Sequence, residues 1–267
     1  WWALIIAVVF VISELVCVVC VPERPVACDE KPGKISDMFK ALFKNDQAMT
    51  VVVSIILVYT SLNICGNLVL YFFRFDVGNE GAYSIFAAVA FAAQVLVMMV
   101  IPLLRKRFSK SQLFISGFII QISGFAVILI MAFAKLYTPQ SWYILCLPGI
   151  LIYLGYGMLN VIMTIFLSDS VDYGEVMNGT REESVIFSMQ TFTVKLASGV
   201  AVFLAGLVVD WIHLDTAAAV QTQDTLDALR MWMTIPSVIL LIVGIFVFKR
   251  FYKLDDTRME EIKSKLN

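Results

Sequence analysis

The sequence predicts an all-α membrane protein with about seven transmembrane helices. Of its 267 residues, 60% are hydrophobic and 15% are charged, whereas soluble domains contain roughly 45–50% and roughly 25%. One soluble domain of this size could not bury so much apolar surface, which excludes a water-soluble globular protein. Seven apolar runs approach the length of about 20 residues that crosses the hydrocarbon core. They lie at about residues 2–21, 48–72, 83–104, 113–134, 143–167, 185–209 and 231–248.

The first run is expected to be an outlying transmembrane helix at residues 1–21. It starts at Trp1 without a basic leader and ends in VPERP, which is unlike a signal peptide. Because residue 1 is not Met, we expect the chain to begin inside a longer protein. The Pro-containing stretch 22–47 predicts a middle loop. The remaining runs predict a compact six-helix bundle at 48–248 and a charged tail at 249–267.

The distribution of Lys and Arg predicts the orientation of the chain in the membrane. Of the 20 basic residues, 16 lie in the 22–47 loop, between 105 and 110, at Arg181 or beyond residue 248. Cytoplasmic loops retain an excess of positive charge. The middle loop and the C-terminus are therefore predicted to be cytoplasmic, with Trp1 facing outward. The net charge of -1 gives no basic surface and indicates no nucleic-acid partner.

Polar residues recur at helical spacing within three of the runs, so that each set lies along one helix face. The sets are Ser184, Ser188, Thr191, Lys195 and Ser198 in the sixth run, Thr60, Asn63, Asn67, Tyr71 and Arg74 in the second, and Tyr153, Asn160 and Thr164 in the fifth. A polar stripe within hydrocarbon faces either a water-filled cavity or a neighbouring helix. For the uncharged members, hydrogen bonding between packed helices is an equally good explanation.

Lys195 is the polar residue that points most directly to a function. It lies near the middle of the sixth run, where a charged side chain costs about 2.5–3.5 kcal/mol and usually faces a cavity. Glu14 is the one carboxylate well inside a run, and its place on the outlying helix makes it a poor partner. Either Lys195 is deprotonated in place, or protein outside this sequence supplies its counter-charges; we favour the second explanation.

An acidic segment, SDSVDYGEVMNGTREES, follows the fifth run and is predicted to be a cytoplasmic loop with a turn at Asn178 and Gly179. Taken alone, it is better explained as a solvated loop than as a site. The sequence contains no nucleotide-binding, zinc-protease or hydrolase motif. Cys17 and Cys20 share CxxC spacing but lie on one apolar helix, where they are expected to act as small hydrophobic residues. We therefore expect no enzyme, no catalytic residue and no metal site.

Five ordered blocks resemble the C-terminal half of the glycoside, pentoside and hexuronide cation symporters, a branch of the major facilitator superfamily. The blocks are KNDQ at 44–47, NICGNLVLYFFRFDVGN at 63–79, IPLLRKRFSK at 101–110, DSVDYGE at 169–175 followed by Arg181, Glu183 and Ser184, and MQTFTVK at 189–195. The resemblance covers nearly the whole chain. It implies that residues 1–21 correspond to the sixth helix of a twelve-helix protein and that the C-terminal six-helix bundle follows.

The resemblance also implies a function, which is uptake of a sugar or glycoside by alternating access in a bacterial inner membrane. Uptake would be driven by Na+, H+ or Li+, with no organic cofactor, and the cation-binding carboxylates would lie on an N-terminal half that this sequence lacks. Gln190, Thr191 and Lys195 match the positions that line the sugar and cation cavity, and Lys195 is expected to couple the two. The implied cytoplasmic gate consists of Asp169, Asp172, Tyr173, Glu175 and Arg181.

Asn63, Asn67, Tyr71 and Asn160 are further expected contacts to the substrate. A melibiose-transporting member of the family has a tryptophan nine residues before the gate aspartate, whereas this chain has Asn160. The alternative function is a seven-helix retinal-type receptor with Lys195 as the Schiff base, or another integral membrane protein. In such a receptor the lysine belongs on the last span, whereas here it lies on the sixth.

Overall fold

The computed structural model describes residues 2–20, 43–179, 181, 183–218 and 220–266. Within these residues, seven helices are long and apolar enough to cross a membrane, which confirms the predicted fold class. The middle loop predicted at 22–47 lies largely outside the described residues. The helices are α1 (Trp2–Cys20), α2 (Asp46–Tyr71), α3 (Ala82–Leu104), α4 (Lys110–Phe133), α5 (Cys146–Asn178), α6 (Glu183–Trp211), α7 (Gln223–Phe251) and the shorter α8 (Asp256–Leu266).

The helix α1 belongs to a compact unit of its own, separate from the unit that contains the other helices. Its 19 residues carry one charged side chain, Glu14. A helix that is apolar on every side is typical of a membrane span. At 1.5 Å per residue, α1 is about 28 Å long, which is close to the roughly 30 Å of a hydrocarbon core.

The helices α2 to α7 pack around one apolar core. The helix α5 packs against both α3 and α4, and α2 packs against both α6 and α7. Aromatic rings connect the group of α3, α4 and α5 with the group of α2, α6 and α7. The ring of Phe114 on α4 lies 5.2 Å from that of Phe166 on α5 and 4.5 Å from that of Phe248 on α7. The bundle is therefore held together across its middle as well as along each helix pair.

The helices α4 and α5 approach each other closely at a glycine. A Cβ atom at Gly155 would lie 2.6 Å from the backbone nitrogen of Gln121 and 2.6 Å from the carbonyl oxygen of Gly117. Only glycine permits this separation, and small residues are the usual means of close helix packing in membranes. The side-chain amide of Gln121 is fully buried in this contact, without a hydrogen-bond partner among the described residues.

Side-chain caps explain why two helices begin before the predicted apolar runs. Ser109 and Gln112 form a capping box at α4: Ser109 Oγ accepts from the Gln112 backbone nitrogen at 3.1 Å, and Gln112 Oε1 accepts from the Ser109 nitrogen at 3.0 Å. Thr222 caps α7 in a similar way, accepting from the Thr225 nitrogen at 3.2 Å. Caps satisfy the exposed N–H groups of a first turn, so a helix can start among polar residues.

The chain widens into a π-helical turn where α2 ends, over Phe72–Val77. Its hydrogen bonds include one from the backbone nitrogen of Gly78 to the carbonyl oxygen of Phe73, five residues earlier. The turn places Arg74 on the exposed side and Asp76 on the buried side. Such single turns occur where a helix must redirect its side chains, often at functional sites.

The acidic segment at 169–175 is helical, whereas the sequence analysis placed it in a loop. The helix α5 runs on for 33 residues to Asn178 and ends at Gly179, whose φ is 73°. At 1.5 Å per residue its length is about 50 Å, well beyond the roughly 30 Å hydrocarbon core, so its last turns project into the polar region. No Gly–Pro or Asn–Gly pair interrupts the chain before Asn178, so the helix continues through these polar residues.

Two ends of the bundle can be distinguished. The basic end is where α2 begins and α5 and α7 finish, and it carries Arg105, Lys106, Arg107, Lys110, Lys249 and Arg250. The opposite end is where α2 and α6 finish. The predicted charged tail contains a helix, α8, whose Met259 and Ile262 pack with Leu254 against Tyr173 and Val176 of α5.

Candidate functional site

A chain of hydrogen bonds, here called the polar network, joins side chains of α2, α5 and α6. Asn160 Nδ2 on α5 donates to the hydroxyl of Tyr59 on α2 at 2.5 Å. Gln190 Nε2 on α6 donates to Thr164 Oγ1 at 3.3 Å, and Thr164 Oγ1 donates to the Asn160 carbonyl at 3.2 Å. The structure therefore brings together Asn160 and Gln190, which the sequence placed on separate helices.

The network continues along α2 through two asparagines. Asn63 Nδ2 donates to the carbonyl of Tyr59, and Asn67 Nδ2 donates to the carbonyl of Asn63, each at 2.7 Å. Both side chains are half-buried. One N–H of each amide is thus used, while each Oδ1 atom accepts no hydrogen bond from a described residue. Two half-exposed oxygens in a row are suited to accept hydrogen bonds from the hydroxyl groups of a ligand.

Lys195 lies outside this network, on the unpacked side of α6. The packed side of α6 carries Thr193, Ala197 and Ala201, and a rotation of about 100° per residue places Lys195 away from it. Lys195 is exposed, and no carboxylate of the described residues lies within 4.0 Å of its Nζ atom. The expected acid partner is therefore absent from the described part of the bundle.

The unpacked surface of α6 has two strips of different character. The polar strip contains Ser184, Ser188, Thr191, Lys195 and Ser198, and the apolar strip contains Phe192, Leu196, Phe203 and Leu207. A rotation of about 100° per residue separates the two strips around the helix. Lipid contact is the natural environment for the apolar strip alone. Thr191, whose hydroxyl lies 3.4 Å from the Phe187 carbonyl, shares the polar strip with Lys195.

A cleft of about 540 Å³ lies between α2 and α6 near the opposite end. Asn67 and Tyr71 border it on α2, and Gly206 and Asp210 border it on α6. Asp210 is the one charged residue among the described residues that line this cleft. The structure thus places Tyr71, an expected substrate contact, on the border of the same cleft as Asp210.

The predicted gate residues separate into two groups at the basic end. Asp169 is buried and forms an ion pair with Lys110 of α4, with 2.5 Å between Nζ and Oδ2. Asp256 of α8 lies 3.4 Å from Lys110 and 3.4 Å from Arg105. Together these four residues connect α3, α4, α5 and α8. The sequence analysis counted Lys110 only as a basic loop residue.

The second group surrounds Arg181. Its guanidinium lies 2.8 Å from Glu175, 3.1 Å from Asp172 and 3.2 Å from Glu183. The hydrogen bond to Glu175 and the other carboxylates raise the pKa of Arg181 above its ordinary value. Tyr173, the remaining predicted gate residue, packs against α8 instead. Arg181, Asp172 and Glu175 therefore form one cluster of ion pairs at the basic end.

The first residues of α2 are also tied to this end. Asn45 caps α2 by accepting from the Ala48 nitrogen at 2.9 Å, and its Nδ2 donates to the carbonyl of Ser170 on α5 at 2.8 Å. Gln47 Oε1 accepts from the Lys253 nitrogen at 2.8 Å, beyond the end of α7. The block KNDQ thus fixes the start of α2 to two other helices.

A buried ionic cluster lies at the opposite end. Arg230 of α7 donates from Nε and from a terminal nitrogen to the two oxygens of Asp76, at 2.9 and 2.5 Å, and contacts Asp227 at 2.6 Å. Tyr137 donates to Asp76 as well. Burial, and then the hydrogen bond to Asp76, raise the pKa of the Tyr137 hydroxyl. Tyr137 therefore stays protonated and keeps donating well above neutral pH.

Several of these residues were not predicted from the sequence. Tyr59 precedes Asn63 by one helical repeat, so extending the stripe on α2 would have found it. Asp76 lies in the π-helical turn and Arg230 lies within α7, and nothing in the linear sequence pairs residues 154 positions apart. Among the described residues, no group of three or more His, Cys, Asp or Glu side chains is arranged to hold a metal ion.

The chain is similar to known transport proteins over most of its length. A model of the MFS/sugar transport protein family matches residues 1–256. The chain is 25% identical to the isoprimeverose transporter of Lactiplantibacillus pentosus, over 95% of this chain and 51% of that protein. It is 24% identical to the raffinose carrier protein of Pediococcus pentosaceus, over 87% of this chain and 35% of that protein.

A third relative is the putative sulfoquinovose importer of Escherichia coli (strain K12). It is 23% identical to this chain, over 88% of this chain and 49% of that protein. The chain thus spans about half, or less, of the length of these curated relatives.

Proposed function

This chain belongs to the family of MFS/sugar transport proteins, and we propose that it serves in a cation-coupled sugar symporter that works by alternating access. Transport moves the sugar without converting it, so neither a catalytic residue nor an organic cofactor is required. The observation that carries the proposal is the polar network, which combines amide and hydroxyl groups from three membrane-spanning helices. Sugar hydroxyls are both donors and acceptors, and this set of groups can satisfy both roles.

The polar strip on α6 supports the proposal that a second bundle of helices packs against this chain. A strip with a lysine in its middle is costly to expose to lipid, and no described helix covers it. Because the matched relatives are about twice as long as this chain, we propose that a further bundle of helices covers the strip. The substrate path would then lie between the two halves, with the polar network, Thr191, Lys195 and Tyr71 on one wall.

Lys195 is the proposed coupling residue. A Na+ ion, a proton or a Li+ ion and the Lys195 ammonium would compete for carboxylates of the second half. Binding of the cation would then release the lysine toward the sugar, and sugar would raise cation affinity by the same factor. Asn63, Asn67, Asn160, Gln190 and Thr191 would contact the sugar itself.

The basic end is proposed to face the cytoplasm of a bacterial cell, in its inner membrane, because positive charge is retained on that side. Asp169, Asp172, Tyr173, Glu175 and Arg181 would then belong to a cytoplasmic gate. The partly exposed carboxylates around Arg181 could exchange this arginine for basic residues of a second half, and such surface pairs are weak enough to break in each cycle.

The function is tested by sugar uptake. Cells that express the gene encoding this chain are given raffinose, isoprimeverose or sulfoquinovose with and without Na+ and at two pH values, and the intracellular sugar is measured by mass spectrometry. We expect accumulation of at least one sugar above its external concentration, dependent on Na+ or on the proton gradient. Cells that accumulate none of the three sugars would contradict the proposal.

The role of Lys195 is tested in the same assay. Lys195→Ala is expected to abolish accumulation, because the cation no longer alters the sugar site, while the protein level in the membrane stays unchanged. Phe192→Ala, on the apolar strip of the same helix, is the matched control and should accumulate sugar normally. Accumulation by Lys195→Ala at the level of the unmodified protein would remove the coupling role.

A further inference from the structure

The cleft between α2 and α6 is distinct from the region around Lys195. Fifteen residues separate Lys195 from Asp210, which corresponds to about 22 Å along the helix axis. One sugar unit is far shorter than this distance, so a single small ligand cannot contact both residues at once. The cleft volume of about 540 Å³ lies within the range of roughly 300–1,000 Å³ found for small-molecule sites.

The chemistry of the cleft is suited to an uncharged sugar. Asp210 supplies an acceptor carboxylate, Asn67 supplies an amide oxygen, and Tyr71 supplies an aromatic ring with a hydroxyl. Asp210 forms no ion pair with any described residue, so no cation of the bundle neutralises it. A free carboxylate accepts strong hydrogen bonds from hydroxyl groups and repels an anionic group.

We propose that this cleft, bordered by Asn67, Tyr71, Gly206 and Asp210, is an outer subsite that admits uncharged sugars and disfavours anionic sugars such as uronates and sulfonates. The inference rests on the proposed transport function and on the proposed orientation, in which the opposite end faces outward. A sugar would occupy the cleft before it reaches Asn160 and Gln190 of the polar network. Selection by charge at this point would separate this chain from relatives whose sugars carry a negative group.

Gly206 allows the cleft to be filled without disturbing the bundle. A Cβ atom at this position meets no heavy atom within 4 Å, so a larger side chain extends into open space. Gly206→Ala and Gly206→Leu form a graded series, and the loss of sugar affinity should increase with side-chain size. Both variants should retain the membrane level and thermal stability of the unmodified protein.

Asp210→Asn tests selection by charge, with Asp224→Asn as the control. Asp224 is an exposed carboxylate at the start of α7 and does not line the cleft. The probe is whichever of raffinose and isoprimeverose the unmodified protein accumulates, and glucuronate is the competitor. Asp210→Asn should raise the KM for the neutral sugar roughly threefold to tenfold by removing a charge-assisted hydrogen bond. It should also lower the inhibition constant of glucuronate by about tenfold, because a repelling charge is lost.

Two outcomes would overturn the inference. One is a change of less than about twofold in both constants for Asp210→Asn, or a change in Asp224→Asn as large as that in Asp210→Asn. The other is preferential accumulation of glucuronate or sulfoquinovose by the unmodified protein. An unmodified protein that accumulates no sugar contradicts the proposed function instead, so the two failures are distinguishable.

Discussion

The pair of Asp76 and Arg230 shows how the bundle accommodates an arginine within a membrane-spanning helix. Their side chains are 2% and 4% exposed, so each charge would be almost fully desolvated without the other. The two parallel hydrogen bonds, with further bonds from Tyr137 and to Asp227, satisfy both groups. A buried pair of this kind adds little net stability, yet losing one member is costly because the other remains charged.

Asp76→Asn is therefore expected to destabilise the protein strongly, by about 3–5 kcal/mol. The measurement is thermal unfolding of the purified protein in detergent, followed by tryptophan fluorescence. Glu80→Gln is the control, because its contact with Arg74 is long and exposed, at 3.7 Å, and such pairs contribute about 0–1 kcal/mol. Equal melting temperatures for the two variants would contradict the buried-pair interpretation.

Where polar residues recur at helical spacing, the sequence predicts which residues share one face of a helix. Thr191 and Lys195 were placed on one stripe by helical spacing, and both lie on the polar strip of α6. Partners across helices could not be found in this way. Lys110 and Asp169 are 59 positions apart, and which charge meets which depends on how α4 and α5 pack rather than on either local pattern.

At the scale of helices, the contact between α4 and α5 depends on the missing side chain of Gly155. Gly155→Ala is expected to destabilise the bundle by roughly 1–3 kcal/mol, because the added Cβ overlaps the backbone of α4 and forces the helices apart. Thermal unfolding of the purified protein measures this effect. Gly199→Ala on α6 is the control, since its Cβ meets no atom within 4 Å. If the two variants melt at the same temperature, α4 and α5 are not packed this closely.

The helices themselves were predictable, whereas most of their ends were not, although the turn predicted at Asn178 and Gly179 does end α5. Seven apolar runs identified seven spans because lipid requires a continuous apolar surface, which is a local property of the sequence. The residues at which a helix begins and ends depend on polar side chains and capping hydrogen bonds. The capping box at Ser109 extends α4, and the polar turns of α5 continue to Gly179 because nothing in their sequence stops a helix. The hydropathy pattern contains neither signal.

At the scale of the whole molecule, the distribution of basic residues makes a prediction about sidedness. In a background where the five native cysteines are replaced by serine, Gln140→Cys and Phe108→Cys place thiols in exposed segments at the two ends of the bundle. A membrane-impermeant maleimide added to intact spheroplasts should label Gln140→Cys and leave Phe108→Cys unlabelled. Lysed spheroplasts should show labelling of both variants. The reverse pattern in intact spheroplasts would invert the proposed orientation.

The π-helical turn at Phe72–Val77 has a consequence for comparing this chain with other proteins. Each wider hydrogen-bonded loop encloses one residue more than an α-helical loop. Relatives that continue α2 as an ordinary helix should therefore align with a one-residue gap within 72–77. An alignment without that gap would shift the register and match Asp76 with outward-facing positions, so that the partner of Arg230 would be overlooked.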